Sequence, residues 1–99
     1  MSKDRGQVIF FENGAVLWVT EIREIPGGFS GEVMNGGWYL VYQDGVVRAH
    51  DWRDPDGDPV TQEASTITHQ VPVESGSGRD YNEVINWAKA KIQKGNLDV

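Results

Sequence analysis

Three turn signals divide the first half of the chain, and they constrain its fold more than any other feature. They are Asn13-Gly14, Asn35-Gly36-Gly37 and Asp44-Gly45. Asn, Asp and Gly tolerate the positive φ angles that tight hairpin turns require. Each signal lies between short runs of β-branched and aromatic residues, so the pattern predicts an antiparallel meander of hairpins.

Six segments have the composition of β-strands. They are residues 7–11, 15–23, 31–34, 38–43, 46–52 and 65–73. In the last segment Ile67, His69, Val71 and Val73 alternate with polar residues, so we expect them on one face of the sheet. Pro72 cannot donate a hydrogen bond to a neighbouring strand, which predicts that this strand lies at an edge or ends there.

The clearest helical pattern covers residues 80–94. Asp80, with Glu83 three residues later, resembles a capping box in which Asp takes the capping position. Apolar residues follow at helical spacing and form one stripe. They are Tyr81, Val84, Ile85, Ala88 and Ile92. The polar residues 1–6 are expected to be frayed.

These elements predict a single α+β domain over residues 1–99. It would hold a curved antiparallel sheet of five to six strands within residues 7–73 and one C-terminal helix packed on one face. The segment 15–23 is apolar on both faces, because Val16 and Trp18 alternate with Leu17 and Val19. One helix covers only one face, so the second needs strong curvature, another layer of strands or another subunit, which leaves a homodimer as an alternative.

The chain is acidic, with 15 Asp and Glu against nine Lys and Arg and a net charge of −6. This charge argues against direct binding to nucleic acid or to an anionic membrane, since both need cationic side chains. There is no cysteine, so disulfides and cysteine-ligated zinc are excluded, and a cytoplasmic location is expected. No apolar run has the length of a membrane span.

The segment 53–64 is predicted to be an acidic loop. Between residues 51 and 63 lie five acids and one Arg, a net charge of −4, so this is the most acidic surface that the chain can present. We expect a protein partner to bind there. The candidate partner-binding residues are Asp51, Trp52, Arg53, Asp54, Asp56, Asp58 and Glu63.

The alternate carboxylates Asp54, Asp56 and Asp58 also resemble the start of a calcium-binding EF-hand loop. The match ends there, because Pro59 and Ser65 stand where such a loop has its Gly and its bidentate Glu. A calcium site in this loop therefore remains an alternative to partner binding.

No catalytic constellation can be assembled from the sequence, so we expect the protein not to be an enzyme and to need no cofactor. The two histidines, His50 and His69, lie on predicted strands, and a structural role for His69 at least partly in the core is expected. Trp52 is likewise expected in the core or at its boundary.

Size, acidity and the acidic loop together predict a small protein-binding regulator or inhibitor that occludes a partner surface. In size and charge the chain is similar to small acidic inhibitors of nucleic-acid-binding machines, such as anti-CRISPR proteins. That similarity implies a phage or bacterial anti-defence role and a basic nucleic-acid-binding protein as partner. Two alternatives are a small-ligand or calcium-binding module and a structural homo-oligomeric accessory protein.

Overall fold

A computed structural model describes the backbone of residues 5–34, 36–54, 56–74 and 76–97, with side chains up to residue 93. It contains seven strands and one helix within those ranges. They are β1 (Gln7–Phe11), β2 (Val16–Ile25), β3 (Gly28–Val33), β4 (Trp38–Gln43), β5 (Val46–Asp51), β6 (Thr61–Ala64), β7 (Ile67–Pro72) and α1 (Tyr81–Leu97). The expected α+β class, with an antiparallel sheet and a C-terminal helix, is confirmed.

All seven strands belong to one antiparallel sheet in the order β6-β5-β4-β3-β2-β1-β7. The first six strands form a meander, and β7 returns to pair with the outer edge of β1. Hairpins lie at all three turn signals, and β7, which contains Pro72, is an edge strand as the sequence predicted.

The expected five to six strands are corrected to seven. The additional strand is β6, which lies within the segment 53–64 that the sequence assigned to a loop. All four of its residues are exposed, so it lacks the apolar alternation that marks a strand in sequence. It is held by backbone pairing with β5 and by the Arg48 Nε, which donates to Gln62 Oε1 at 3.0 Å.

The sheet is strongly curled, because its two edge strands are consecutive in the chain. Six strand spacings separate β6 from β7, and in a flat sheet these would span about 29 Å. Only Ser65 and Thr66 connect the two strands, and the step from Ala64 to Ile67 covers at most about 11 Å. The edges therefore come close together, and one face of the sheet becomes concave.

A β-bulge in β2 contributes to this curl. Glu21 and Ile22 together face the single residue Gly31 on β3, and Glu21 has a φ of 54°. A bulge bends its strand and increases the local twist. A Cβ atom on Gly31 would lie 2.8 Å from the Thr20 carbonyl oxygen, so the close approach of the two strands requires glycine there.

The concave and convex faces each have their own apolar core. On the concave face the buried residues are Ile9, Phe11, Val19, Val33 and Leu40. Val47 of β5 and Ile67 of β7 pack against this same cluster, although five strand spacings separate them along the sheet. Curvature, one of the three expected solutions, thus covers the second face of the sheet.

The convex core lies between the sheet and α1. Its buried residues are Val8, Trp18, Val73, Val84, Ile85 and Ala88. The Trp18 Nε1 donates to the Arg5 carbonyl oxygen at 2.7 Å, and its ring stacks on Tyr81 with centroids 6.4 Å apart. Trp87 also packs against this core, and Lys91 Nζ lies 5.1 Å from the centroid of its ring.

The predicted capping box forms at the start of α1. The Glu83 amide donates to Asp80 Oδ1 at 2.9 Å, and the Asp80 amide donates to Glu83 Oε1 at 3.3 Å. These bonds satisfy amide groups that have no partner within the helix. The helix extends to Leu97, beyond the expected end at residue 94.

The expected frayed segment 1–6 lies partly outside the described residues, which begin at Arg5. Arg5 and Gly6 are held in place by two hydrogen bonds. Arg5 Nη2 donates to the Gly78 carbonyl oxygen at 2.9 Å, and the Val73 amide donates to the Gly6 carbonyl oxygen at 3.0 Å. In the described part of the chain, no helix has the length and apolarity needed to cross a membrane.

Candidate functional site

Four large apolar side chains are exposed among the described residues, and all lie at the same end of the sheet. They are Met34, Trp38, Trp52 and Val60, and we call them the tryptophan surface. The first two flank the β3–β4 turn, and the other two flank the loop between β5 and β6. Because Trp38 pairs with Asp51 and the Val60 amide donates to the Ala49 carbonyl oxygen at 2.7 Å, the two pairs are neighbours.

Trp52 is the most exposed of the four, at 60%. Its amide donates to the Gly37 carbonyl oxygen at 3.0 Å, and its ring lies beside Gly37, where a Cβ atom would be 2.5 Å from the Trp52 Cδ1. The core or boundary position expected for Trp52 is therefore wrong. The chain ends its pairing with β4 at Asp51, so Trp52 lies beyond the sheet and outside the core.

Asp51 and Arg53 form a bidentate ion pair next to Trp52. Arg53 Nε and Nη2 donate to the two carboxylate oxygens of Asp51 at 3.1 and 3.0 Å, and the Arg53 amide donates to Oδ1 at 2.9 Å. These side-chain and backbone hydrogen bonds lower the pKa of Asp51 from 3.8 to about 2. Asp51 is thus a charged residue at the end of β5 whose carboxylate is already neutralised by a cation.

The next three acids, Asp54, Asp56 and Asp58, are exposed. The Asp54 amide donates to the Asp51 carbonyl oxygen at 2.8 Å, and the Gly57 amide donates to that of Asp54 at 3.1 Å, so consecutive turns shape the loop. Within the described ranges, none of these three carboxylates has a cation within ion-pairing distance. They present negative charge that a partner could neutralise.

The calcium alternative gains no geometric support from this loop. Over residues 5–34, 36–54, 56–74 and 76–97, no three His, Asp or Glu side chains come together in a group that could hold a metal ion. Three converging oxygen ligands are a minimum for a calcium site, which normally has six to eight.

A shallow groove on the convex face continues from the tryptophan surface. It has a volume of about 350 Å³ and is lined by Glu21, Arg23, Glu32, Tyr39, Trp52 and Asp56. The Tyr39 hydroxyl donates to Ser30 Oγ at 2.9 Å, which fixes the tyrosine on the groove floor. Trp52 and Asp56 share this groove, so the exposed ring and the acidic loop form one continuous surface.

Glu63 does not join the other predicted partner-binding residues. It lies on β6 opposite Val47, so its side chain is on the concave side of the sheet. Its carboxylate accepts a hydrogen bond from Asn13 Nδ2 in the β1–β2 turn. The structure therefore brings Asp51, Trp52, Arg53, Asp54 and Asp56 together and separates Glu63 from them.

The two histidines lie in different environments, and the one that was expected in the core is exposed. His69 is exposed and meets Phe10 edge-on at 5.9 Å between ring centroids, because a register shift between β1 and β7 turns it away from the face of Ile67. His50 is 7% exposed, and its Nδ1 has no hydrogen-bond partner among the described residues. The expected core position of His69 is therefore corrected.

Three members of the tryptophan surface were missed in the sequence. The sequence placed Met34 and Trp38 on predicted strands and Val60 in the predicted acidic loop, and only the position of Trp38 directly after a Gly-Gly turn signalled an exposed location. A scan against protein-family models, a search of curated proteins and a search of solved structures each found no match to this chain.

Proposed function

We propose that the chain is a protein-binding regulator that docks through the tryptophan surface and the adjoining acidic loop. One observation carries this proposal: four exposed large apolar side chains lie at the same end of the sheet, beside three carboxylates that have no cation within the described residues. Contiguous exposed apolar patches on small proteins are typical of interaction sites.

The chemistry of this surface resembles that of a protein interface. Tryptophans at the centre of an interface contribute a large share of the binding free energy, and a polar rim excludes water around them. Here Trp52 and Trp38 would supply the apolar anchors, while Asp54, Asp56 and Asp58 form the rim. Carboxylates at a rim accelerate the approach of a positively charged partner and select against acidic ones.

A basic partner of a different kind fits better than a second copy of the chain. In a symmetric dimer the same surface patch faces itself, so the carboxylates of both copies would be brought together. Like charges across an interface are unfavourable. We therefore propose a basic protein as partner, with a nucleic-acid-binding protein as the favoured class and the cytoplasm as the compartment; the homodimer is an outcome of the test.

The test is an affinity purification from nuclease-treated lysate of the source cells, followed by binding measurements on the purified partner. Two variants remove the proposed contacts: Trp52→Ala, and the triple variant Asp54→Asn, Asp56→Asn, Asp58→Asn. We expect Trp52→Ala to weaken binding about 30-fold or more, the effect of a central interface tryptophan. The triple variant should slow association and reduce its dependence on salt.

A charge-matched control carries Glu24→Gln, Asp44→Asn and Glu74→Gln, three exposed acids outside the acidic loop. It changes the net charge by the same amount and should leave binding intact. Equal loss in the control would show that only net charge matters. A partner bound with unchanged affinity by both test variants would refute the proposal, as would self-association that Trp52→Ala abolishes.

A further inference from the structure

The mouth of the concave face contains a second site, separate from the acidic loop. It is an open cavity of about 390 Å³. Its lining comes from six strands, the β1–β2 turn and the start of α1, and consists of Phe11, Asn13, Ala15, Leu17, Val33, Trp38, Leu40, Val47, Ala49, Thr61, Glu63 and Tyr81. Small-molecule sites have this size, a mainly apolar lining and a few polar groups.

Small residues keep this cavity open. Ala15, directly before β2, and Ala49 on β5 both line it, and neither side chain can fill the space between the curled strands. Further along the concave face, larger residues such as Ile9 and Leu40 pack to 0% and 1% exposure. The cavity is therefore the unfilled end of an otherwise packed concave core.

The polar groups of the cavity are concentrated on one side. Glu63 and Thr61 are contributed by β6, and Asn13 is contributed by the adjacent β1–β2 turn. Asn13 holds Glu63 by the hydrogen bond from its Nδ2, and its own Oδ1 accepts from the Ala15 amide at 2.9 Å. A carboxylate can accept about four hydrogen bonds, so Glu63 retains acceptor capacity toward the cavity.

Glu63 also lacks a cationic partner within the described part of the chain. No Lys, Arg or His of the described residues lies within ion-pairing distance of it. The net charge of the whole chain is −6, which attracts cations and repels anions. The electrostatics of the cavity thus favour a positively charged ligand.

Two aromatic side chains complete the wall. Trp38 is 37% exposed at the mouth. Tyr81 is fixed from both sides, because its hydroxyl donates to the Val16 carbonyl oxygen at 3.3 Å and its ring stacks on Trp18. Aromatic rings stabilise nearby organic cations and also bury the apolar part of a ligand.

We propose that this cavity binds a small organic cation, an ammonium group on an apolar body of about the size of a bicyclic ring. The ammonium group donates to the carboxylate of Glu63, and the apolar body lies between Trp38, Leu17 and Ala49. This ligand site shares Trp38 with the proposed partner surface, but its polar groups and its apolar wall are its own.

The test is isothermal titration calorimetry with three naphthalene probes of the same shape and different charge. They are 1-naphthylmethylamine, 1-naphthalenemethanol and 1-naphthoate. We expect saturable binding of the amine, binding of the alcohol that is weaker by about tenfold or more, and no binding of the carboxylate. Amide chemical shifts should change at the cavity lining and not in residues 53–60.

Two variants of the chain make the test specific. Glu63→Gln keeps the size of the side chain but removes its negative charge. It should therefore weaken binding of the amine about tenfold or more and leave binding of the alcohol unchanged. Ala49→Phe fills the cavity and should abolish binding of both the amine and the alcohol. Circular dichroism checks that this variant is folded. Glu24→Gln is the matched control, because it removes an exposed charge that does not line this cavity.

Absence of saturable amine binding at millimolar concentration would overturn the proposal. Equal affinity of Glu63→Gln and the native chain for the amine would overturn it as well. The two sites are distinguished by testing each variant in the binding assay of the other site. Trp52→Ala should retain amine binding, and Glu63→Gln should retain binding to the protein partner.

Discussion

Trp18 and Trp52 show how the position of a residue decides its role. Both follow or belong to strands, yet Trp18 is 4% exposed and Trp52 is 60% exposed. Trp18 is on the convex face of β2, where α1 covers it, whereas Trp52 lies one residue past the last pairing of β5. The sequence predicted both as aromatic residues on strands. It could not show which of them is buried, because the end of β5 is determined by its pairing with β4.

The acidic residues of the predicted site also differ from one another in the partners that their carboxylates have. Their charge was evident from the sequence, but their partners were not: Asp51 has Arg53, Glu63 has Asn13, and the loop acids have no cation among the described residues. The direction of Glu63 depends on the register Val47–Glu63, which only the pairing of β6 with β5 establishes.

Removing the guanidinium group of Arg53 should raise the pKa of Asp51. The hydrogen bonds from Arg53 hold this pKa at about 2, against 3.8 for the ordinary group. A depressed folded-state pKa stabilises the fold at pH values above about 4, and this contribution is lost as the pH falls through 2. An NMR titration of the Asp51 carboxyl carbon in Arg53→Gln should therefore give a pKa above 2 but still below the ordinary value, because the amide of residue 53 continues to donate to the carboxylate.

Arg48→Gln is the control for that titration, since Arg48 bonds to Gln62 on the neighbouring strand. It should leave the Asp51 titration where it is in the native chain. An Asp51 pKa that stays near 2 in Arg53→Gln would show that the ion pair is absent in solution.

At the scale of elements, local chemistry predicted the hairpins and the helix and missed one strand. The turn signals have a local cause in positive φ, and the capping box has one in the amides of Asp80 and Glu83. Strand β6 has no such local cause. Its residues Thr61–Ala64 are exposed and pair with β5 through the backbone, so neither periodicity nor propensity reveals them.

The bulge between β2 and β3 is the element that we expect to tolerate substitution least. Gly31→Ala should lower the free energy of unfolding by about 1–3 kcal/mol, the usual cost of inserting a methyl group into packed structure. The added Cβ would lie 2.5 Å from Val19 Cγ1 and 2.8 Å from the Thr20 carbonyl oxygen. Urea denaturation followed by circular dichroism measures the change.

Glu32→Ala provides the comparison on the same strand, because its side chain is exposed. Its effect should stay within about 0.5 kcal/mol. If Gly31→Ala were as stable as Glu32→Ala, the strands would not approach each other as closely as the bulge requires.

At the scale of the whole molecule, curvature connects the fold to both proposed sites. Rolling the sheet lets its concave face form its own core, so α1 is needed only on the convex face. The same curl leaves an unfilled mouth at Ala15 and Ala49 and brings the tryptophan surface to one end. The sequence identified curvature as one of three solutions, but the two-residue connection that requires it became evident only once β6 was placed.

The central claim is that Trp52 lies on the surface beside carboxylates that have no cation among the described residues. It is tested most directly by ¹⁹F NMR of protein labelled with 5-fluorotryptophan, with the four signals assigned by single Trp→Phe variants. A neutral nitroxide probe should broaden the signal of Trp52 most and that of Trp18 least. A cationic nitroxide should broaden the Trp52 signal further, because the carboxylates of Asp54, Asp56 and Asp58 attract it. A Trp52 signal as protected as that of Trp18, or one insensitive to the charge of the probe, would contradict the account.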